Sequence, residues 1–523
     1  MPEDIFSLTN KTVSSDSNQL PTHKDYDTYI NQWKFLKRSY LGGAEYKRGM
    51  YLKRYQYENE SEYLTRLSHA AEDNHCRSIV HTYNSFLFRQ GVHRDFGSIE
   101  GTEEVENFLK DADMEGRSWN SFMADVNIQS SIYGSCVVLI DRPETVVGTR
   151  ADELEQGIRP YATIYTPENV LDWNFTRQSN GHYELEMISL LEQDERPNQS
   201  NGEYYVRVWT KDAIRLVAYN PNNVKEPMRV VEEKINALGK VPAVWCYANR
   251  GPIRGIGVSD IDSIAQAQRF LQECYSEAEQ LISLTNHPSL VKTAGVSASA
   301  GAGAVITMPD ELDPNLKPYL LQPNGGNLEA ILRTMEETVK SIDRMAHLGS
   351  IRAIETRQMS GVAMMSEFLM LDAKLSEKAK NLELAEEQIF RLFGLWQGQA
   401  WDGEIHYPTA FHIRDKNLDI DILKKAAETN PANPKVKAFI DEKILQVLAE
   451  DEEEYKKITE MEHPMTTPEE RSEHIKQMIM EGYTDQQILT IHSEISQADI
   501  TAAKQELLDS NNDTASQTQT PTD

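Results

Sequence analysis

Two short groups of cations are the side chains of this chain whose type and spacing suit chemistry, namely reversible contact with phosphate. Arg352 and Arg357, with Glu355 between them, lie in the stretch Gly349–Ser360 (GSIRAIETRQMS). Arg333, Lys340 and Arg344 recur at steps of seven and four, which puts them on one face of a helix. A few arginines on a loop make transient phosphate contacts, without the many simultaneous neutralisations that hold DNA still. The plainer reading of the helical three is pairing with Glu329, Glu336 and Glu337. For the loop it is an ordinary linker between helices.

Catalytic signatures are missing. No G-x-x-x-x-G-K-[ST] occurs, so the chain is not expected to be a packaging ATPase. Gly255-Ile256-Gly257 precedes a helix but lacks a third glycine at dinucleotide spacing, so it reads as a backbone turn. No Ser or Cys lies in a nucleophile-elbow context. His287, His347, His406 and His412 form no metal-ligand pattern. Cys76, Cys136, Cys246 and Cys274 lie far apart in sequence with no C-x-x-C, which predicts buried, reduced thiols in a reducing cytoplasm. Most carboxylates fall on polar helix faces that solvate the surface. The expectation is a protein without catalytic activity, metal or cofactor.

The chain of 523 residues is long enough for two or more structural units. It is 39% hydrophobic and 26% charged, and no run of 18 apolar residues occurs, so no membrane span is expected. The opening MPEDIFSLTNKTVSSDSNQL has neither a basic nor an apolar region, so no secretory signal is expected. A net charge of −29 argues against tight, static binding of nucleic acid. It does not argue against a protein that lets DNA slide past.

The elements that would position these cations follow from periodicity. Asp25 to about Gly134 reads as helical, with Tyr29, Trp33, Leu36 and Tyr40 on one stripe and Gly42-Gly43 ending it. Helices are expected over Tyr63–Ala71, Cys76–Arg89 and Trp119–Tyr133. Short β-branched and aromatic runs then predict strands at Ser135–Arg142, Tyr161–Tyr165, Tyr183–Glu192, Tyr204–Thr210 and Ile214–Tyr219, with Val241–Tyr247 as the last strand of one meander or small barrel. Ser259 or Asp260 caps a helix running to about Leu284. A returning helix carries Leu328, Ile331, Leu332, Met335, Val339, Ile342 and Met345, so a hairpin of helices flanks the Gly- and Pro-rich insert Val291–Pro323. The longest helix follows, from about Gly361 to Gln399, then a β-like piece at Ile405–Arg414 and short helices. The fold class expected is α+β, mainly α-helical.

Several strings resemble the portal proteins of tailed bacteriophages: LGKVPAVWCYANRGPIRGIGVSDIDSIAQAQ, YLLQPNGGNLEAILRTMEETVKSID, QMSGVAMMSEFLMLDAKLSEKAKNLELAEEQIF, YGSCVVLID and YTPENVLDWNF. They fall in the family's order across about residues 25–415. The resemblance implies a disordered tail at 1–24, a wing at 25–256, stem helices at 257–285 and 327–348 around a clip at 286–326, and a tunnel loop at 349–360. It further implies a long wing helix with its β-piece at 361–416, a helical crown at 417–509 and a disordered tail at 510–523. Arg352, Arg357, Arg333, Lys340 and Arg344 would then face a DNA channel. Lys292, Val305, Ile306, Lys317 and Tyr319 would lie on the clip, where Ala304–Thr307 and Tyr319–Leu321 pair as strands between subunits. The implied partners are further copies in a ring (about twelve in that family), terminase, major capsid and scaffold proteins, a tail adaptor or head-completion protein, and double-stranded DNA in transit. The implied location is a capsid vertex of the virion, with assembly in the bacterial host cytoplasm. A helical scaffold or adaptor protein of virion assembly is the alternative.

Overall fold

The computed structural model describes residues 21–143, 157–192, 203–220, 222–223, 228–286, 289–291, 313, 319–321, 326–349, 361–409 and 411, with scattered positions between 472 and 504. The chain divides into two compact units, Met1–His412 and Ile413–Asp523. In the second unit the described positions are helical, and Ile475, Met478, Ile500 and Ala503 are buried together.

The first unit opens with helices whose limits are set locally. Helix α1 (Tyr26–Leu41) turns Trp33, Phe35 and Leu36 inward and ends at Gly42, which holds φ 67. A six-residue helix α2 (Gly43–Arg48) follows, too short for periodicity to reveal. Helix α3 (Glu60–His69) begins with a capping box between Asn59 and Glu62. Helix α4 (His75–Phe88) buries Cys76, Ile79, Val80, Tyr83 and Leu87, the three-to-four spacing of a packed stripe. A short strand β1 (His93–Asp95) then interrupts a region whose pattern reads as helical throughout. Helices α5 (Glu103–Lys110) and α6 (Trp119–Tyr133) complete the group, and Gly134 in the left-handed region ends α6.

The strands form two main sheets where the sequence suggests one meander or barrel. Strand β2 (Ser135–Asp141) lies between β3 (Tyr161–Tyr165) and β9 (Ala243–Tyr247). A separate antiparallel meander comprises β4 (Val170–Arg177), β5 (Tyr183–Leu191), β6 (Tyr204–Thr210), β7 (Ala213–Tyr219) and β8 (Met228–Ile235). It stays open, with β4 and β8 as its edges. The strand within Val241–Tyr247 therefore belongs with β2 and is not the last of the meander. The reason is burial: Ser135 to Ile140 is apolar or uncharged and buried at every position, as suits a strand covered on both faces. This pairing sets Cys136 opposite Cys246, so two thiols far apart in sequence face each other; all four cysteines are free and buried. Residues 21–24 also depart from the expected disordered tail. The His23 N–H donates to the Leu171 carbonyl at the β4 edge, and its ring stacks on Trp173 with centroids 4.0 Å apart.

Two small hairpins follow the sheets, β10 (Asn249–Arg250) with β11 (Gly257–Val258), and later β12 (Ser289–Val291) with β13 (Tyr319–Leu321). Between and beyond them run helix α7 (Asp262–Asn286), helix α8 (Gly326–Met345) and the 36-residue helix α9 (Gly361–Trp396), about 50 Å long at 1.5 Å per residue. Strand β14 (Glu404–His406) returns to pair with β1.

At the crossing of α6 and β11 the backbones nearly touch. A Cβ added to Gly257 would lie 2.0 Å from the Gly134 carbonyl oxygen. Gly257→Ala is therefore expected to lower stability by about 1–3 kcal/mol, the usual cost of overpacking a site whose neighbour is backbone. Urea unfolding of the variant measures it, and a value within error of wild type refutes this account of the turn.

Candidate functional site

The helical hairpin is the feature around which the candidate cations are arranged. Helices α7 and α8 run antiparallel, packed along a seam of Leu271, Cys274 and Met335 with Tyr275, Ile331 and Val339 beside it. Their far ends are joined by the β12–β13 ladder, Ser289 opposite Leu321 and Val291 opposite Tyr319. Tyr319–Leu321 thus pairs with 289–291 of its own chain, a partner that the sequence did not suggest.

Buried polar groups hold the near end of the hairpin. Asp260, just before α7, receives the Lys378 ammonium of α9 at 2.6 Å, and the same ammonium donates to Ser131 Oγ at 2.9 Å. Asn249 donates to the other carboxylate oxygen at 3.0 Å, and Lys374 lies 3.6 Å from it. Burial alone would push the Asp260 carboxyl up; Lys378 and then Lys374 outweigh it and hold it below the usual aspartate range. Asp260 is therefore a buried counter-ion and not a helix cap, and the Ser259 hydroxyl accepts from the Ile261 N–H while donating to the Ser131 carbonyl.

Further up the hairpin, the Gln268 side chain bridges the Cys76 N–H and the Ser39 carbonyl, and Arg269 donates to the Tyr51 carbonyl. The returning helix is pinned where it ends, since the Tyr83 hydroxyl donates to the Ala346 carbonyl at 2.7 Å. His347 follows at φ 56, and burial, then Lys374, keep its imidazole below the ordinary histidine range. These bonds tie both legs of the hairpin to α1, α4, α6 and α9.

On α8 the packed stripe of Ile331, Met335, Val339 and Ile342 faces α7 and the body, so Arg333, Lys340 and Arg344 fall on the opposite side of the helix. The structure separates their roles. The Lys340 ammonium meets Glu337 Oε1 at 2.7 Å, the pairing that the plainer reading predicted. Arg333 is exposed on the rim of a groove between α7 and α8, lined also by Ala267, Phe270, Thr334, Thr338 and Ser341. Arg344 is exposed in the last turn. Glu329, Glu336 and Glu337 are exposed on the same half of the helix, so its positive charge is locally balanced. Tyr319 stands 57% exposed on β13. Arg352, Arg357, Lys292, Val305, Ile306 and Lys317 lie outside the described residues.

The long helix does not sort its residues by polarity alone. The apolar Leu369 is 59% exposed, whereas the charged Lys378 and Glu386 are fully buried in it. Nothing in their local sequence sets them apart from solvated lysines and glutamates. Among the described residues no cluster of His, Cys, Asp or Glu could hold a metal ion, and no helix is long and apolar enough to cross a membrane.

No family model matches the chain, and no curated protein matches it. Among solved structures it is similar to one described as the neck of an empty GTA particle computed with C6 symmetry. The two share 10% identity with a TM-score of 0.42, over 74% of this chain and 95% of that one.

Proposed function

We propose that this chain is the subunit of a phage portal, the ring at one capsid vertex through which double-stranded DNA is packaged and later ejected. One observation carries the reading. Two long antiparallel helices, closed at one end by paired strands and pinned at the other by buried hydrogen bonds and an ion pair, form a rod rooted in an α+β body. Such a rod is what a channel wall built from repeated copies requires. The family resemblance of the strings that flank it, in order along the chain, supports the same conclusion. In this reading Arg344 and the loop residues Arg352 and Arg357 make brief phosphate contacts in a bore that is otherwise electronegative. Lys340 is already engaged by Glu337 and contributes less.

The strand-tipped end around Tyr319, with Lys292, Val305, Ile306 and Lys317, is proposed to dock terminase and afterwards a tail adaptor or head-completion protein. Major capsid and scaffold proteins would surround the ring in the virion. The chain is proposed to perform no catalysis.

Electron microscopy of the purified chain tests the reading, with rings around a central hole expected at about twelve copies. Compact monomers or dimers under every condition would overturn it. Arg352→Glu combined with Arg357→Glu is expected to reduce packaged DNA roughly tenfold, because phosphate attraction is replaced by repulsion at the proposed contact. Rings should remain intact; if they fail to assemble, the loop is a structural element and its channel role is wrong.

A further inference from the structure

The hairpin carries two surfaces of different chemistry on opposite sides, and among the described residues neither is covered. One is the groove between α7 and α8, where Phe270 is 47% exposed and Arg333 stands at the rim with no ion pair among the described residues. The other lies where the loop before α3 and α3 itself meet the outer half of α7. Tyr57 projects there at 92% exposure, beside Glu62, Thr65, Glu279 and Ser283. Phe270 and Glu279 are nine positions apart, about two and a half helical turns, so they point to opposite sides of α7.

The charge balance also differs. In the Tyr57 patch the Arg66 guanidinium is consumed by a double hydrogen bond to Glu58 at 2.7 Å on each arm, which leaves Glu62 and Glu279 as excess negative charge. In the groove Glu337 is engaged by Lys340, and Arg333 is the cation at the rim, on a helix face whose charges otherwise balance. The patch is also rigid at its base: Arg66 donates to Ser276 on α7 and to the Lys53 carbonyl, and its guanidinium lies 4.2 Å from the Tyr55 ring centroid.

We propose that these surfaces are the two halves of one contact between copies of this chain. Tyr57 of one subunit seats in the Phe270–Thr338 groove of the next, with Arg333 of the groove facing Glu279 across the boundary. The inference rests on the ring reading above and deepens it by naming the surfaces that meet. Surfaces on opposite sides of one rod cannot both be used in a two-fold pair. They join head to tail, and a head-to-tail contact closes into a ring when the rotation per copy allows it. An exposed tyrosine entering a partly apolar groove with an arginine at its rim is the residue combination that dominates protein interfaces.

The test uses the full chain and counts particles by electron microscopy, with light scattering for mass. Tyr57→Ser and Arg333→Glu are each expected to lower the fraction of protein in rings roughly tenfold or more. Glu279→Arg combined with Arg333→Glu should restore a large part of it. Circular dichroism and thermal melting of each variant's dissociated subunit should match wild type, because both residues are exposed. Wild-type rings that persist in both single variants would overturn the inference while leaving the ring reading intact, as would a double variant that fails to recover. Wild-type protein that never forms rings removes the ring reading and the inference together.

Discussion

Lys378→Met is expected to cost about 3–5 kcal/mol of unfolding free energy, the penalty for leaving one member of a buried ion pair without its partner. Asp260 and Lys378 are both almost wholly inaccessible, with side-chain exposures of 0% and 2%. After the substitution Lys374, at 3.6 Å and partly exposed, is the cation left beside the carboxylate, which still accepts from Asn249. Urea unfolding at neutral pH measures the loss as a lower midpoint with an unchanged slope. The double variant Asp260→Leu with Lys378→Met should recover much of it, because a matched apolar pair removes both desolvation penalties. A single variant as stable as wild type would show that the pair does not anchor α9 to the root of the hairpin.

The acid response follows from the sign of the Asp260 shift. Its folded pKa is depressed, so the native state gains from the ionised carboxylate above the unfolded value and loses that gain as pH falls through the lower folded value. The stability gap between wild type and the double variant should therefore stay flat from about pH 8 to 5. It should change only below the ordinary aspartate value of about 3.9.

Glu386→Leu is expected to be comparably damaging, again about 3–5 kcal/mol. The Glu386 carboxylate is fully buried and pairs with Arg94; it also accepts from Trp119 Nε1 at 2.6 Å and from the Tyr407 hydroxyl at 2.5 Å. Burial opposes the Arg94 guanidinium, Glu386 more than offsets that, and its pKa lies above the ordinary arginine value. Burial and then Glu386 likewise drive the Tyr407 phenol well above its normal value. Leucine would orphan one cation and two neutral donors at once. Glu386→Gln separates these effects in part: its single amide oxygen still accepts from Trp119, its NH2 meets the Tyr407 hydroxyl as a donor, and Arg94 loses its counter-charge, so it should cost less. Equal losses for Leu and Gln would show that the charge on Glu386 matters and its other hydrogen bonds do not.

Both pairs show why this chain reads clearly in some places and not in others. The limits of α6 are local: Ser118 accepts from the Ser121 N–H at one end and Gly134 takes the left-handed conformation at the other. Periodicity therefore suffices to place Trp119–Tyr133. The hairpin was legible for the same reason, because each helix carries its own apolar stripe and the two stripes have few other surfaces to cover. The strand partners were not legible. Whether Ala243–Tyr247 extends a meander or joins β2 depends on which faces the helices α6 and α9 leave open, and β2 lies about a hundred residues earlier.

The candidate site divides along the same line. Sequence by itself determined that Arg333, Lys340 and Arg344 share one face of a helix, since a fixed rotation of about 100° per residue requires it. Only the tertiary structure decided that Lys340 is tied to Glu337 and that Arg333 borders a groove. It alone revealed that Lys378 is internal, because the partner that makes burial tolerable, Asp260, stands 118 residues away. A charge declares its surroundings through its own desolvation and the counter-ion that offsets it, and neither is encoded within a few residues of it along the chain.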